Sequence, residues 1–330
     1  MSIVTEIIDA FPVDNTVRHV QRNEELLLTK PQPGAMRFWR DYDLLGALHF
    51  PLHYIPAKFA PPVGVYESDY VRIEYQKMNS RQPFYHRNAD VDEISYHVAG
   101  ERTLITEKGS VDLHTGDFAR IPVSVAHDNR GVNDVHLLFY IPAPVRECVP
   151  ESRHTKHIVP PFEGWQPKPG GTTEMMTECL GAIGCDVGVS LTDEIILLDA
   201  AKTETEPIQV IRASGRDTSD TEWLYKSELV WIGSTTLSGC QGKVYRRHRR
   251  ADEIQCQISG HRTLVTQRGT IDLEPGDFIM VPLGTAFTDI VKETSVHISV
   301  LTRWPAPPKT EVSKVARETT FENVKSMRAS

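Results

Sequence analysis

The stretch DEISYHVAGERTLITEKGSVDLHTGDFARIP, residues 92–122, aligns without a gap on DEIQCQISGHRTLVTQRGTIDLEPGDFIMVP, residues 252–282. The offset is 160, and extended to Asn129 the two copies share 16 of 38 positions. That exceeds chance for an ungapped match, so one folding unit occurs twice in the chain. Within the first copy, EISYHV, RTLIT, SVDL and FARIP are separated by AGE, EKG and HTGD. Short runs rich in β-branched and aromatic residues, cut by Gly and Asp, predict antiparallel β structure. No βαβ alternation supports a parallel sheet. Both copies also close on similar strands, VHLLFYIPAP at 135–144 and VHISVLTRWPAP at 296–307.

Outward from the repeat, the chain divides into an N-terminal arm (1–69), a first barrel (70–144), a linker and lead-in (145–229), a second barrel (230–307) and a tail (308–330). In the arm, IVTEIIDAF reads as a short helix or strand, PQPG at 31–34 as a turn, and FWRDYDLLGALHF at 38–50 as amphipathic. The middle segment corresponds roughly to the arm, so each half is expected to carry its own lead-in. There PPFEGWQPKPGG (160–171) and ASGRDTSDTE (213–222) read as loops, and EIILLDAA (194–201) as an apolar strand or helix. The tail is expected to be helical or loose.

Composition narrows the class. The chain has 330 residues, 40% hydrophobic and 24% charged, which suits a soluble globular protein of two domains. A net charge of −8 with no block of like charge argues against a nucleic-acid footprint. Five cysteines without a CxxC pair read as free thiols in a reducing compartment. Neither a basic region followed by an apolar run nor a span of membrane length is present, so a cytoplasmic protein with no membrane partner is expected. GxGxxG, Walker, GxSxG and HExxH motifs are missing.

Chemistry concentrates in the first copy. His86, Asn88 and Glu93 precede and open the strand EISYHV, and His127 follows one hairpin later. Ser95 and His97 alternate with Glu93, so all three share one strand face. Two imidazoles and a carboxylate gathered by a small barrel suit a divalent first-row metal with positions left open. At offset 160, His86 becomes Arg246, Asn88 becomes His248, Glu93 stays Glu253, and His127 becomes Phe287. A phenyl ring cannot coordinate, so the second barrel reads as structural, contributing an interface or shaping access to the first site.

These residues carry a resemblance. His86-Arg-Asn88, four residues, Glu93, six residues, Gly100 resembles the first motif of the cupin superfamily. Gly116, five residues, Pro122, Val, Ser124, two residues, His127 resembles the second. Asn88 stands where the family has a second His, and Ser124 where it has Gly; Gly284 keeps that glycine in the other copy. The resemblance covers both repeats and implies an all-β dominated protein of two cupin barrels (double-stranded β-helix or jelly-roll), with short helical or irregular arms. YHRNADVDE looks most like two-barrel dioxygenases of the homogentisate and hydroquinone type. That implies Fe(II), with Mn or Zn less expected, held by His86, Glu93 and His127, and an Asn associated with the site. A hydroxylated aromatic compound and O2 would be the substrates, with His97 or Asn88 orienting them. Two other readings stay open: a non-catalytic two-barrel subunit partnering another oxygenase chain, and a metal-dependent isomerase or hydrolase. A homo-oligomer is expected, or a hetero-oligomer with another cupin chain.

Arg120, opposite Met280 in the second copy, is a candidate for a substrate carboxylate or phenolate, against plain surface solvation. Arg102 and Arg262 match across the copies and read as structural ion pairs, as do His136 and His297 as structural residues. His114 reads as solvated in a turn.

Overall fold

A computed structural model describes residues 2–29, 42–57, 61–168, 170–180, 186–218 and 220–329. The PQPG turn, the start of FWRDYDLLGALHF and Cys185 lie outside them. The architecture is the expected β-dominated pair of barrels. In the first, two long strands, Asp92–Thr106 and His127–Ile141, pair antiparallel from His127↔Thr106 to Ile141↔Asp92. Register shifts between Val132 and His136 bend the pair, as bulges do, so that each strand serves both walls. In the second barrel each long strand is broken in two, Asp252–Ser259 with Arg262–Thr266 and Phe287–Ile290 with Ser295–Thr302. The walls there are separate six- and eight-stranded sheets.

The lead-ins are exchanged. Strand Ile3–Asp9, from the arm that precedes the first barrel, pairs parallel with Val244–His248 of the second, Thr5↔Val244 through Asp9↔His248. Strand Thr172–Thr177 pairs parallel with Phe84–Asn88 of the first, Thr173↔Phe84 through Thr177↔Asn88. Strand Gly46–His49 likewise extends the second barrel at Asp277–Val281, and Gln209–Arg212 the first at Asp117–Ile121. Side chains repeat the pattern: Tyr245 donates to Glu24 Oε1 at 2.8 Å, and Tyr85 to Glu194 Oε1 at 3.0 Å. The ambiguous IVTEIIDAF is thus a strand and EIILLDAA a helix, Glu194–Asp199, whose N-cap Asp193 accepts from the Ile195 and Ile196 amides. The tail ends in helix Phe321–Ala329, fastened by Arg328 to Glu24.

Strand alternation explains the core. Ile94, Tyr96 and Val98 join Ile254, Cys256, Phe278 and Ile298 in one buried cluster drawn from both barrels. The residues between them, Glu93, Ser95 and His97, turn to the opposite face, into the barrel lumen, and are also buried. Both strand faces are therefore dry, and only one of them is apolar. Among the described residues no helix is long and apolar enough to cross a membrane, and Cys148, Cys179, Cys240 and Cys256 are free thiols.

Candidate metal centre

Three local devices bring the predicted ligands together. Strand Phe84–Asn88 alternates so that His86 and Asn88 share a face. The strand from Asp92 then opens with Glu93, and the turn after Pro122 delivers His127 beside His86, its β-bridge partner. That turn is fixed by Ser124, whose amide donates to Asn88 O at 2.8 Å and whose φ is 65°. Arg87 clamps the corner, donating to Glu107 and Glu174 at 2.7 Å and to the Ser124 carbonyl.

One donor atom from each of His86, Glu93 and His127 lies within 4.8 Å of the others. His127 Nε2 is 3.3 Å from Glu93 Oε2, about the edge between adjacent ligands around an ion bound at roughly 2.1 Å. Nδ1 of His127 faces the Val125 carbonyl at 3.1 Å. Such an outer contact fixes the ring so that Nε2 presents its lone pair inward. A lone pair and a carboxylate oxygen meeting at 3.3 Å in a dry site need a cation or a proton between them. Burial works against charge on both groups, yet their mutual attraction wins: Glu93 is held far below the usual carboxylate range by His127, His86 and Asn88, and His127 is raised by Glu93. With neutral imidazoles, His86, Asn88, Glu93 and His127 carry one net negative charge, so the donor set fits a divalent metal.

The structure separates the other predicted residues. Asn88 donates from Nδ2 to Glu93 Oε2 at 3.0 Å and accepts from the Cys179 thiol at 3.1 Å. Its oxygen thus faces the sulfur, and its amide steadies the carboxylate. His97 shares the lumen face of Glu93 but sits deeper, its Nδ1 3.1 Å from Asp134 Oδ1 and its Nε2 3.0 Å from the Gly100 carbonyl. Asp134 continues to His136 at 2.8 Å, and His136 to Gln76 at 3.0 Å. Arg120 pairs across the sheet with Ile94, on the face turned away from Glu93, and is bound by Glu147 at 2.6 Å and Asp92 at 3.2 Å. The structure does not bring it to the triad.

In the second barrel the same geometry closes on itself. His248 lies between Asp9, 3.0 Å from Nδ1, and Glu253, 2.8 Å from Nε2. Burial opposes its charge, but the two carboxylates raise it to about 9, while Glu253 falls to about 2. An imidazolium occupies the centre of that set, and Phe287 takes the place of the last ligand. Sequence spacing identified the triad. It did not identify Cys179 or Asp9, which come from the exchanged lead-ins, 91 and 239 residues from their partners, and no local motif marks either.

No family model matches the chain, and no curated protein matches it. Solved structures do. A cupin 2 conserved barrel domain protein from Leptotrichia buccalis is 10% identical over 75% of this chain and 92% of its own, with a TM-score of 0.45. A mutant form of Bacillus subtilis oxalate decarboxylase is 13% identical over 82% of this chain and 81% of its own, with a TM-score of 0.48. A second mutant form of the Bacillus subtilis enzyme, matched over the same shares, gives 14% identity and 0.46. The structural neighbours of this chain are cupin-barrel proteins, and at these identities the likeness concerns the fold alone.

Proposed function

We propose that the first barrel holds Fe(II) at His86, Glu93 and His127, and that the chain is a dioxygenase opening a hydroxylated aromatic ring. One observation carries the reading: the first barrel brings two imidazoles and an acid within 4.8 Å of one another, while in its twin the one imidazole is taken up between Asp9 and Glu253 and Phe287 stands in place of the last donor. Two histidines and one carboxylate with open positions are the donor set of non-haem iron oxygenases, and YHRNADVDE supplies the resemblance to ring-cleaving enzymes. When bound, the metal would supply Lewis acidity and a route for electrons between substrate and O2.

The chain's own residues do the rest. Glu93 stays ionised and is oriented by the Asn88 amide. His127 is kept in one tautomer by the Val125 carbonyl. Val91, Leu138, Tyr140 and Cys179 form an apolar cluster that excludes water from this side. Burial keeps the Tyr140 phenol and the Cys179 thiol protonated, the latter pushed up to about 12, so neither competes as an anion for the metal.

The test is metal analysis of protein purified without air, paired with O2 uptake on hydroquinone, gentisate and homogentisate. One iron per chain and uptake on at least one ring compound are expected, and both should fall to background in His127→Ala with the far-UV spectrum kept. Uptake unaffected by that substitution would overturn the reading.

A further inference from the structure

The repeat that exposes the metal centre also contains a matched pair of buried arginines whose surroundings differ. In the second barrel Arg262, its side chain fully buried, is satisfied on all three nitrogens. Nε donates to Gln257 Oε1 at 2.7 Å, Nη2 to Gln255 Oε1 at 2.8 Å, and Nη1 to the Asp289 carboxylate. At offset 160 those partners become His97, Ser95 and Asn129 in the first barrel. Arg102, 2% exposed, keeps one bond, Nε to Asn129 Oδ1 at 3.0 Å. Its Nη1 and Nη2 are without a hydrogen-bond partner, and so is Ser95 Oγ.

The strand pairings around the two arginines match, although the strand is continuous in the first barrel and broken in the second. Ser95 pairs with Ala119 and Leu138, as Gln255 pairs with Ile279 and Ser299, and Arg102 faces Leu113 as Arg262 faces Leu273. The Gln255 carboxamide oxygen, which the second barrel places on the guanidinium, is missing from the first. A buried guanidinium with two idle nitrogens is costly. Its planar fork matches the two oxygens of a carboxylate. Leu138 stands where the second barrel has Ser299, which adds an apolar wall. Burial opposes the Arg102 charge, which acts first on the buried Asp134 carboxylate and then on the metal centre, at Glu93 and His127. Ser95 is two residues from Glu93, about 6.8 Å along a strand, the order of one substituted ring.

We propose that Arg102 Nη1 and Nη2, with Ser95 Oγ, anchor the carboxylate of a small organic acid in the lumen of the first barrel. The bound carboxylate takes the part that Gln255 and Asp289 play toward Arg262. This refines the reading above, on which it rests for the chemistry performed but not for the binding: of the candidate ring compounds, those carrying a carboxylate are the ligands.

The probes are gentisate and hydroquinone, which differ by one carboxylate, titrated calorimetrically into the full chain with and without added Fe(II) under nitrogen. Gentisate is expected to bind at least about tenfold more tightly than hydroquinone, a difference of about 1.4 kcal/mol, and Arg102→Met should bring the ratio to about one. Ser95→Gln, and the pair Ser95→Gln with Leu138→Ser that supplies the counterparts of Gln255 and Ser299, should abolish the preference while retaining the metal. Thermal melts guard against misfolding: Arg102→Met, which loses one hydrogen bond and the charge beside Asp134, should melt less far below the wild-type temperature than Arg262→Met, which loses three bonds. Equal affinity for the two probes, no binding of either, or a preference that survives Arg102→Met would overturn the proposal. A gentisate preference lost in Arg102→Met, in protein that takes up no metal, would sustain it and remove the dioxygenase reading instead.

Discussion

At the scale of single residues, the two barrels differ by where a positive charge comes from. His248, flanked by Asp9 and Glu253, supplies its own; Asn88, flanked by Cys179 and Glu93, supplies none. The consequence for pH follows from the directions of the shifts. His248, raised from 6.5 to about 9, contributes stability that is complete below about pH 6.5 and is lost as pH climbs through 9. Glu253, lowered from 4.5 to about 2, contributes stability that is complete above about pH 4.5 and is lost as pH falls toward 2. Support from this cluster is therefore full between about 4.5 and 6.5. Metal-saturated protein should melt lower at about pH 9.5 than at about pH 6, and His248→Gln should flatten that slope. The same variant leaves two buried carboxylates without their cation, and urea titration near pH 6 should register a loss of about 3–5 kcal/mol. If the first site binds iron as proposed, Asn88→His combined with Cys179→Asp should install the second barrel's imidazolium and reduce the metal content to a small fraction per chain by metal analysis.

Elements position these residues through turns and exchanged strands. Ser124 holds a left-handed φ of 65° where Gly284 holds 79° in the twin, and a Cβ at Gly284 would meet no atom within 4 Å. The penalty at Ser124 is thus conformational, about 1–2 kcal/mol for a residue with a Cβ, offset in part by the greater freedom of Gly in the unfolded chain. Ser124→Gly should raise stability by up to about 1 kcal/mol in a chemical melt without changing metal content. The exchanged lead-ins make a sharper forecast. Strand Ile3–Asp9 pairs with Val244–His248 and supplies Asp9 and Glu6, the latter bound to Arg247 at 2.6 Å. Removing residues 1–9 should therefore raise hydrogen exchange in Val244–His248 and Phe287–Ile290, at the far end of the chain, and leave Phe84–Asn88 protected.

For the whole molecule, the buried cluster between the barrels takes residues from both, Ile94, Tyr96 and Phe118 from one and Ile254, Cys256 and Phe278 from the other. Each barrel is also completed by a strand from the far half of the chain. Neither barrel has a separate core facing its neighbour, so calorimetry should show one unfolding transition rather than two, with tyrosine fluorescence and far-UV signals coincident. Addition of the first site's metal should shift that single transition upward.

The amino-acid sequence by itself determined the duplicated barrel and the triad, because both are written in short-range terms: alternation along a strand, glycine and aspartate at turns, and ligand spacing within 42 residues from His86 to His127. It also marked the difference in donor side chains between the twins, since Phe287 at the place of His127 is legible by alignment. Only the tertiary structure decided which lead-in serves which barrel, and hence that Cys179 touches Asn88 and Asp9 touches His248. It also turned Arg120 away from the site and left Arg102 with two idle nitrogens. Those outcomes depend on pairings between distant strands and on which face a side chain takes, and a shift of one residue in register reverses that face.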